Sequence, residues 1–365
     1  MNFTEIARVD RESFMNSPRC LMVKALISNS ERKNRFSVGR NDESMRIWQA
    51  GLIDGLLESG GQQTQWQGIP IVSPDQIDKN AVIFNCSTSI RPVDTLEWLS
   101  RSGFSNVINY FELSYVYNES ISSPAFVSNQ IAEIESNESD WLKIFENLAD
   151  EESRKTLTDV LGYRLTANPA FMKDYKVRTD RQYLEDFMEY GGDVFVDAGG
   201  FDGDTAESFS KYSPNYKKII IFEPSAHNMA KLKDRVAGIK RVEVHPIGLS
   251  DKKEKLYFNS ALGSACNVDS NGTETIFVDT LDFVVKEPVT FIKMDLEGWE
   301  MQALRGARQH IENNAPKMAI AVYHNAADIR TIYQLVHSLN GRYSTYMRHY
   351  TQGWSETVMF FKRND

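Results

Sequence analysis

Short apolar runs alternate with helical stretches through the second half of the chain, and that alternation leaves few folds open. Val194-Phe195-Val196 is the first run, followed by runs over residues 219–222, 242–247, 289–294 and 318–322. Each is too short for a core helix and lacks strict apolar–polar alternation, which is how a strand buried on both faces reads. The segments between them carry helix signals. Ser225 caps a helix with Met229, Leu232 and Val236 on its inner face, closed by Gly238. Asp328 opens another with Ile329, Ile332, Tyr333, Val336 and Leu339 inward, closed by Asn340-Gly341. Phe187-Met188 reads as the end of an earlier helix, broken by Gly191-Gly192. The spacing predicts two closing antiparallel strands, over 343–348 and 357–361. The pattern is that of an α/β protein with a Rossmann-like, doubly wound sheet.

A chain of 365 residues exceeds the size at which one hydrophobic core usually stops growing, so a second domain is expected. Apolar runs at Ile71-Val72 and 81–84, a helix carrying Val93, Leu96, Trp98 and Leu99, and a run at Val107-Ile108 predict a smaller parallel sheet. Ile47, Leu52, Ile53, Leu56 and Leu57 have helical spacing that ends at Gly60-Gly61. Residues 131–160 read as acidic helix bridging the halves. The expected division is a small Rossmann-like α/β module over 1–125, a helical linker over 126–180 and the doubly wound domain over 181–365. The small module shows no clear glycine loop. A degenerate nucleotide or sugar-phosphate module and a docking module that forms a homodimer both stay open.

A net charge of −9 argues against a nucleic-acid backbone as partner. Three scattered cysteines, Cys20, Cys86 and Cys266, make neither a disulfide framework nor a zinc motif. With no signal-like start and no apolar stretch near ~18 residues, a cytoplasmic protein without a membrane span is expected.

The first strand of the second half ends at Asp197, and Gly199, Gly200 and Gly203 follow before a helix begins near Asp204-Thr205. Glycines there let the backbone turn sharply and approach a ligand. A dinucleotide loop would read Gly-x-Gly-x-x-Gly and seat a pyrophosphate. Here Asp202 and Asp204 flank the last glycine. Acids in those places repel a pyrophosphate and suit the ammonium and sulfonium charges of S-adenosylmethionine. Glu223 ends the second strand, where a carboxylate accepts hydrogen bonds from ribose hydroxyls of any adenosine cofactor. Gly248 and Leu249, after the third strand, are expected beside the adenine. Asp197, Gly199, Gly203, Thr205, Glu223, Gly248, Leu249 and Asp295 are therefore the candidate cofactor residues.

Lys293-Met294-Asp295-Leu296-Glu297-Gly298 closes the fourth strand. Asp295 and Glu297 are two apart, so an extended chain would aim both the same way. Lys293, in a buried run, needs a partner, with Asp295 or Glu297 as the nearest acids. Tyr323-His324-Asn325 ends the fifth strand at the same edge. Asp295, Glu297 and His324 are the candidate catalytic residues, with Asp295 or His324 as base. Their spacing is too loose to predict a divalent ion, and no metal is expected.

Together these stretches resemble the FkbM family of methyltransferases over about residues 180–362. The resemblance rests on Val196-Asp197-Ala198-Gly199 with Gly203-Asp204-Thr205, Phe222-Glu223-Pro224, Leu249-Ser250-Asp251 and Val278-Asp279-Thr280-Leu281-Asp282. Lys293-Met294-Asp295-Leu296-Glu297-Gly298 with Glu300 and Leu304-Arg305-Gly306-Ala307 is its most specific part, joined by Tyr323-His324 and Glu356-Thr357-Val358. It implies a class I methyltransferase fold, S-adenosylmethionine as cofactor, and O-methylation of a sugar or secondary-metabolite hydroxyl, so that the partner is a small-molecule or glycan acceptor. Gly200-Phe201-Asp202 and Trp299 depart from the family's usual residues. The alternatives are a nicotinamide-dependent oxidoreductase, and a scaffold that keeps the fold without catalysis.

Overall fold

The computed structural model describes residues 2–28, 34–61, 63–258 and 274–364; Cys266 lies outside them. By its contacts the chain divides into two compact units. The first comprises Met1–Leu142, Lys155–Val177 and Tyr350–Ser355, the second Lys143–Arg154, Arg178–His349 and Glu356–Asp365. The stretch expected as a linker is thus shared between them.

In the first unit six strands form one sheet: β1 (Arg35–Val38), β2 (Gly55–Leu57), β3 (Gln65–Trp66), β4 (Ile69–Val72), β5 (Val82–Asn85) and β6 (Val107–Asn109). Their order is β3-β4-β2-β1-β5-β6, parallel apart from β3 against β4. The helix expected to run through Leu57 is not there. It ends at Gln49, with Gly51 at φ +67° just beyond, and Gly55–Leu57 forms the fully buried β2. A short apolar run buried on both faces has no periodicity that distinguishes strand from helix. A sheet of this order takes ligands where it reverses, between β1 and β5. Here the chain fills that place itself. Gly39 (φ +117°) packs so closely that a Cβ would lie 2.9 Å from the Cys86 carbonyl oxygen. Asn41 donates to the same oxygen at 2.5 Å. Beyond β5, the carbonyls of Thr88, Ser89 and Ile90 accept from the backbone N–H groups of Trp354, Ser355 and Gln352.

The second unit holds β7 (Val194–Ala198), β8 (Lys218–Phe222), β9 (Val242–His245), β10 (Gly248–Leu249), β11 (Glu254–Phe258), β12 (Glu274–Asp279), β13 (Phe291–Met294), β14 (Lys317–Ala321), β15 (Tyr343–His349) and β16 (Thr357–Arg363). Seven of them form one sheet in the order β15-β16-β14-β13-β7-β8-β9. The five from β9 to β14 run parallel, and β16 enters antiparallel to both β14 and β15. β10, β12 and β11 make a small separate sheet. The expected helix at Phe187-Met188 is a single 3-10 turn, Asp186–Met188, ended by Glu189 in the left-handed region.

The chain leaves β7 towards β8 on one side and β13 lies on the other, so the sheet reverses direction at β7/β13. Ligands of such sheets gather at the carboxyl ends of the strands flanking that point. Beneath it, Phe195 is fully buried, with its ring stacked on Phe291 at 4.7 Å and 4.4 Å from Phe209. Phe195→Ala should lower the stability of this unit by about 3–5 kcal/mol in chemical denaturation. Phe277→Ala, at a position 60% exposed, should change it by less than about 0.5 kcal/mol.

Candidate active site

The site is built from the backbone outward. β7 ends in Ala198, and Gly199 follows at φ +80°. A Cβ at Gly199 would lie 1.9 Å from the Asp295 carbonyl oxygen, so glycine is required where the loops after β7 and β13 touch. The N–H groups of Gly199 and Gly200 both donate to the Phe222 carbonyl at 3.0 Å, which binds the loop to the end of β8. Gly203, at φ +88°, precedes the helix Asp204–Tyr212, whose first turn holds Thr205.

Lys293 lies beneath this loop. The sequence pointed to Asp295 or Glu297 as its partner, but Asp197 on the neighbouring strand takes that place, 3.0 Å from Nζ. Lys293 and Asp197 are register partners of the parallel β13–β7 pair, which sets their side chains together. Lys293 also donates to the carbonyls of Gly199 at 2.7 Å and Ala198 at 3.4 Å. Burial alone would lower the lysine's pKa; Asp197 and Asp295 outweigh it and hold the pKa above the ordinary value.

Glu223 stands at the end of β8, 5% exposed. Its Oε1 accepts from the Ser225 N–H at 2.8 Å and from Asn228 at 3.4 Å, and its Oε2 from the Phe201 N–H at 2.9 Å. A carboxylate has about four lone-pair sites, so capacity remains for a ligand hydroxyl. Burial raises its pKa. Gly248 and Leu249 form β10, paired with Val278 and Asp279, and Leu249 is buried. The two flanking acids of the loop have partners within the chain. Asp202 pairs with Arg235 at 2.5 Å, and Asp204 accepts from the Thr205 N–H at 2.6 Å. Asp202 therefore does not act as an unpaired charge towards a ligand.

At the other flank, Asp295 and Glu297 do converge, but not along an extended strand. β13 stops at Met294, and the chain turns through Glu297 (φ +53°) and Gly298 (φ +93°). His324, beyond β14, meets both: its Nε2 lies 3.4 Å from Asp295 Oδ1 and 3.4 Å from Glu297 Oε2. Its Nδ1 lies 3.1 Å from Glu300 Oε1. Burial alone would lower the His324 pKa, but Glu297, Glu300 and Asp295 carry it up to about 11.

Other residues of this cluster were not singled out for a role by the sequence. Tyr183 donates its hydroxyl to Asp295 Oδ2 at 2.5 Å, and Tyr323 approaches the same carboxylate at 3.4 Å. Gln182 donates to Glu356 at 2.5 Å. Burial and the charge of Asp295 push the Glu356 carboxyl up to about 7. Gln182 and Tyr183 precede β7 and sit far from any motif, so no local signal marks them. Glu300 and Glu356 lay inside stretches that resemble the family.

Residues 194–349 match the family model described as the methyltransferase FkbM domain. The fold is shared with methyltransferase FkbM from Methylobacillus flagellatus KT, at 21% identity over 98% of each chain and a TM-score of 0.73. An rRNA methylase from Streptococcus thermophilus is 17% identical, covering 54% of this chain and 98% of its own, with a TM-score of 0.32. Fibrillarin from Aeropyrum pernix, solved with natively bound S-adenosyl-L-methionine, is 13% identical over 47% of this chain and 66% of its own, with a TM-score of 0.32. No curated protein matches the sequence. Among the described residues, no helix is long and apolar enough to cross a membrane.

The second unit depends on the Lys293–Asp197 pair for its centre. Lys293→Met should lower stability by about 3–5 kcal/mol in thermal or chemical denaturation, because it leaves Asp197 buried without its cation. Adding Asp197→Asn should recover much of that loss.

Proposed function

We propose that the chain is an S-adenosylmethionine-dependent O-methyltransferase acting on a hydroxyl of a small molecule or glycan. The observation that carries the reading is the pairing, across the β7/β13 reversal, of an adenosine-type site at Glu223 with a polar cluster at Asp295, Glu297 and His324. The FkbM match supports a transferase over a nicotinamide enzyme.

The residues fit the cofactor: Glu223 keeps acceptor capacity for ribose hydroxyls, and the loop from Gly199 to Gly203 turns beside it, with the Phe201 N–H on its carboxylate. Gly248 and Leu249 offer a small, apolar wall to the adenine. Asp197, held by Lys293, fixes the loop rather than leaving it to adapt. Bound there, S-adenosylmethionine supplies an electrophilic methyl group on a cationic sulfur. The protein's work is then alignment and proton removal. Asp295, Glu297 and His324 hold the acceptor hydroxyl at the end of β13. Glu356, held near neutrality by burial, is suited to take the hydroxyl proton. As the acceptor oxygen took the methyl from sulfur, its proton would leave to the Glu356 carboxylate.

Calorimetry with S-adenosylmethionine should show binding by the wild-type chain. Glu223→Ala should weaken it about tenfold to a hundredfold, the loss expected when hydrogen bonds to a charged group are removed. An absence of binding by the wild-type chain would overturn the reading.

A further inference from the structure

The geometry points to a divalent-cation site formed by Asp295, Glu297 and His324, placed to hold the acceptor oxygen. The inference rests on the methyltransferase reading for its purpose, but not for its evidence.

Each of the three residues offers one ligand atom, and these atoms all lie within 4.8 Å of one another. Ligands about 2.1 Å from an octahedral ion stand roughly 3 Å apart when adjacent and roughly 4.3 Å when opposed. The two 3.4 Å separations from His324 Nε2 therefore need only a slight contraction around an ion. Two carboxylates with one imidazole suit a first-row divalent ion such as manganese.

A second observation concerns His324 itself. Its side chain is 9% exposed, and neither ring nitrogen makes a hydrogen bond of good geometry. An N–H aimed at a carboxylate would sit about 2.8 Å from one oxygen. Nε2 instead stands equally far from two, as a nitrogen lone pair does when it shares an ion with them. Behind it, Glu300 is 1% exposed and held by the N–H groups of Leu296 at 2.6 Å and Gly298 at 3.4 Å, with its Oε1 facing Nδ1. Glu300 Oε1, 3.1 Å from Nδ1, stands where the carboxylate that orients a metal-binding histidine would accept once the ring turns onto an ion.

Charge favours the same conclusion. Asp295, Glu297, Glu300, Asp328 and Glu356 all act on this pocket. Against them stands Lys293, which is already paired with Asp197, and His324 only while it holds a proton that a bound ion would replace. Buried charge of one sign calls for a counter-charge. The neighbouring grouping of Glu300, His324 and Asp328 is a poorer site. Asp328 is occupied by the backbone N–H and side chain of Asn325, and Glu300 by Leu296 and Gly298. The chosen three are all partly exposed, which leaves coordination positions open to water and to an acceptor oxygen. An ion there would acidify a bound hydroxyl.

The test uses the full chain, stripped with a chelator and titrated with manganese, with free ion read by electron paramagnetic resonance. One ion per chain is expected, and Glu297→Gln and His324→Ala should each weaken binding at least tenfold. Glu297→Gln is conservative and partly exposed, so it remains informative if His324→Ala fails to fold. Calorimetry with S-adenosylmethionine in chelator is run on the same samples. Cofactor binding without manganese binding, or manganese binding equal in wild type and Glu297→Gln, overturns the cation site and leaves the methyltransferase reading standing. Manganese binding that depends on these residues supports the site even where the cofactor fails to bind, which would overturn the methyltransferase reading alone.

Discussion

The ion pair between Lys293 and Asp197 is the contact on which the centre of the second unit depends. Both side chains are withdrawn from water, and neither is tolerable there without the other. The pairing follows from register, because the parallel strands β13 and β7 bring the two residues side by side. Once Nζ is held there, its remaining donors fall on the carbonyls of Ala198 and Gly199. That pulls the glycine loop against the loop after β13, so closely that only glycine fits at 199. The loops after β7 and β13 are thereby fixed to each other through one buried cation.

Around that centre the two flanks differ in character. On the Glu223 side the carboxylate is nearly satisfied by the backbone of its own turn, and the surroundings are glycine and apolar strand. On the Asp295 side, acids accumulate in a partly buried space, where burial and Asp295 raise the Glu356 pKa and the facing carboxylates raise that of His324.

Much of the fold was legible in the sequence because its strands are buried on both faces and are punctuated by glycine and capping residues. The succession of β7 to β9, β13 and β14 along the chain could be anticipated from Val194-Phe195-Val196 onward, and so could the closing pair of antiparallel strands. The failure at Leu56-Leu57 has a physical cause: a buried central strand and a buried helix face show the same apolar residues, and Gly51 rather than Gly60 marks the helix end. The reading of Phe187-Met188 as a helix end failed because a single turn carries no periodicity.

The sequence by itself determined which residues stand at strand ends, since a glycine loop and an acid after an apolar run mark that place regardless of the rest of the chain. It also carried the resemblance to the FkbM family. Tertiary structure decided the partners. Lys293 looked to its neighbours in sequence and found Asp197 across the sheet. Asp202, read as a charge for the ligand, is paired with Arg235 from the next helix. Tyr183 reaches Asp295 from upstream of the first strand. Asp295, Glu297 and His324 were too loosely spaced to predict an ion, yet the turn at Glu297 and the adjacency of β13 and β14 bring their ligand atoms together. Strand adjacency and backbone reversal are properties of the folded sheet, and no spacing along one chain encodes them locally.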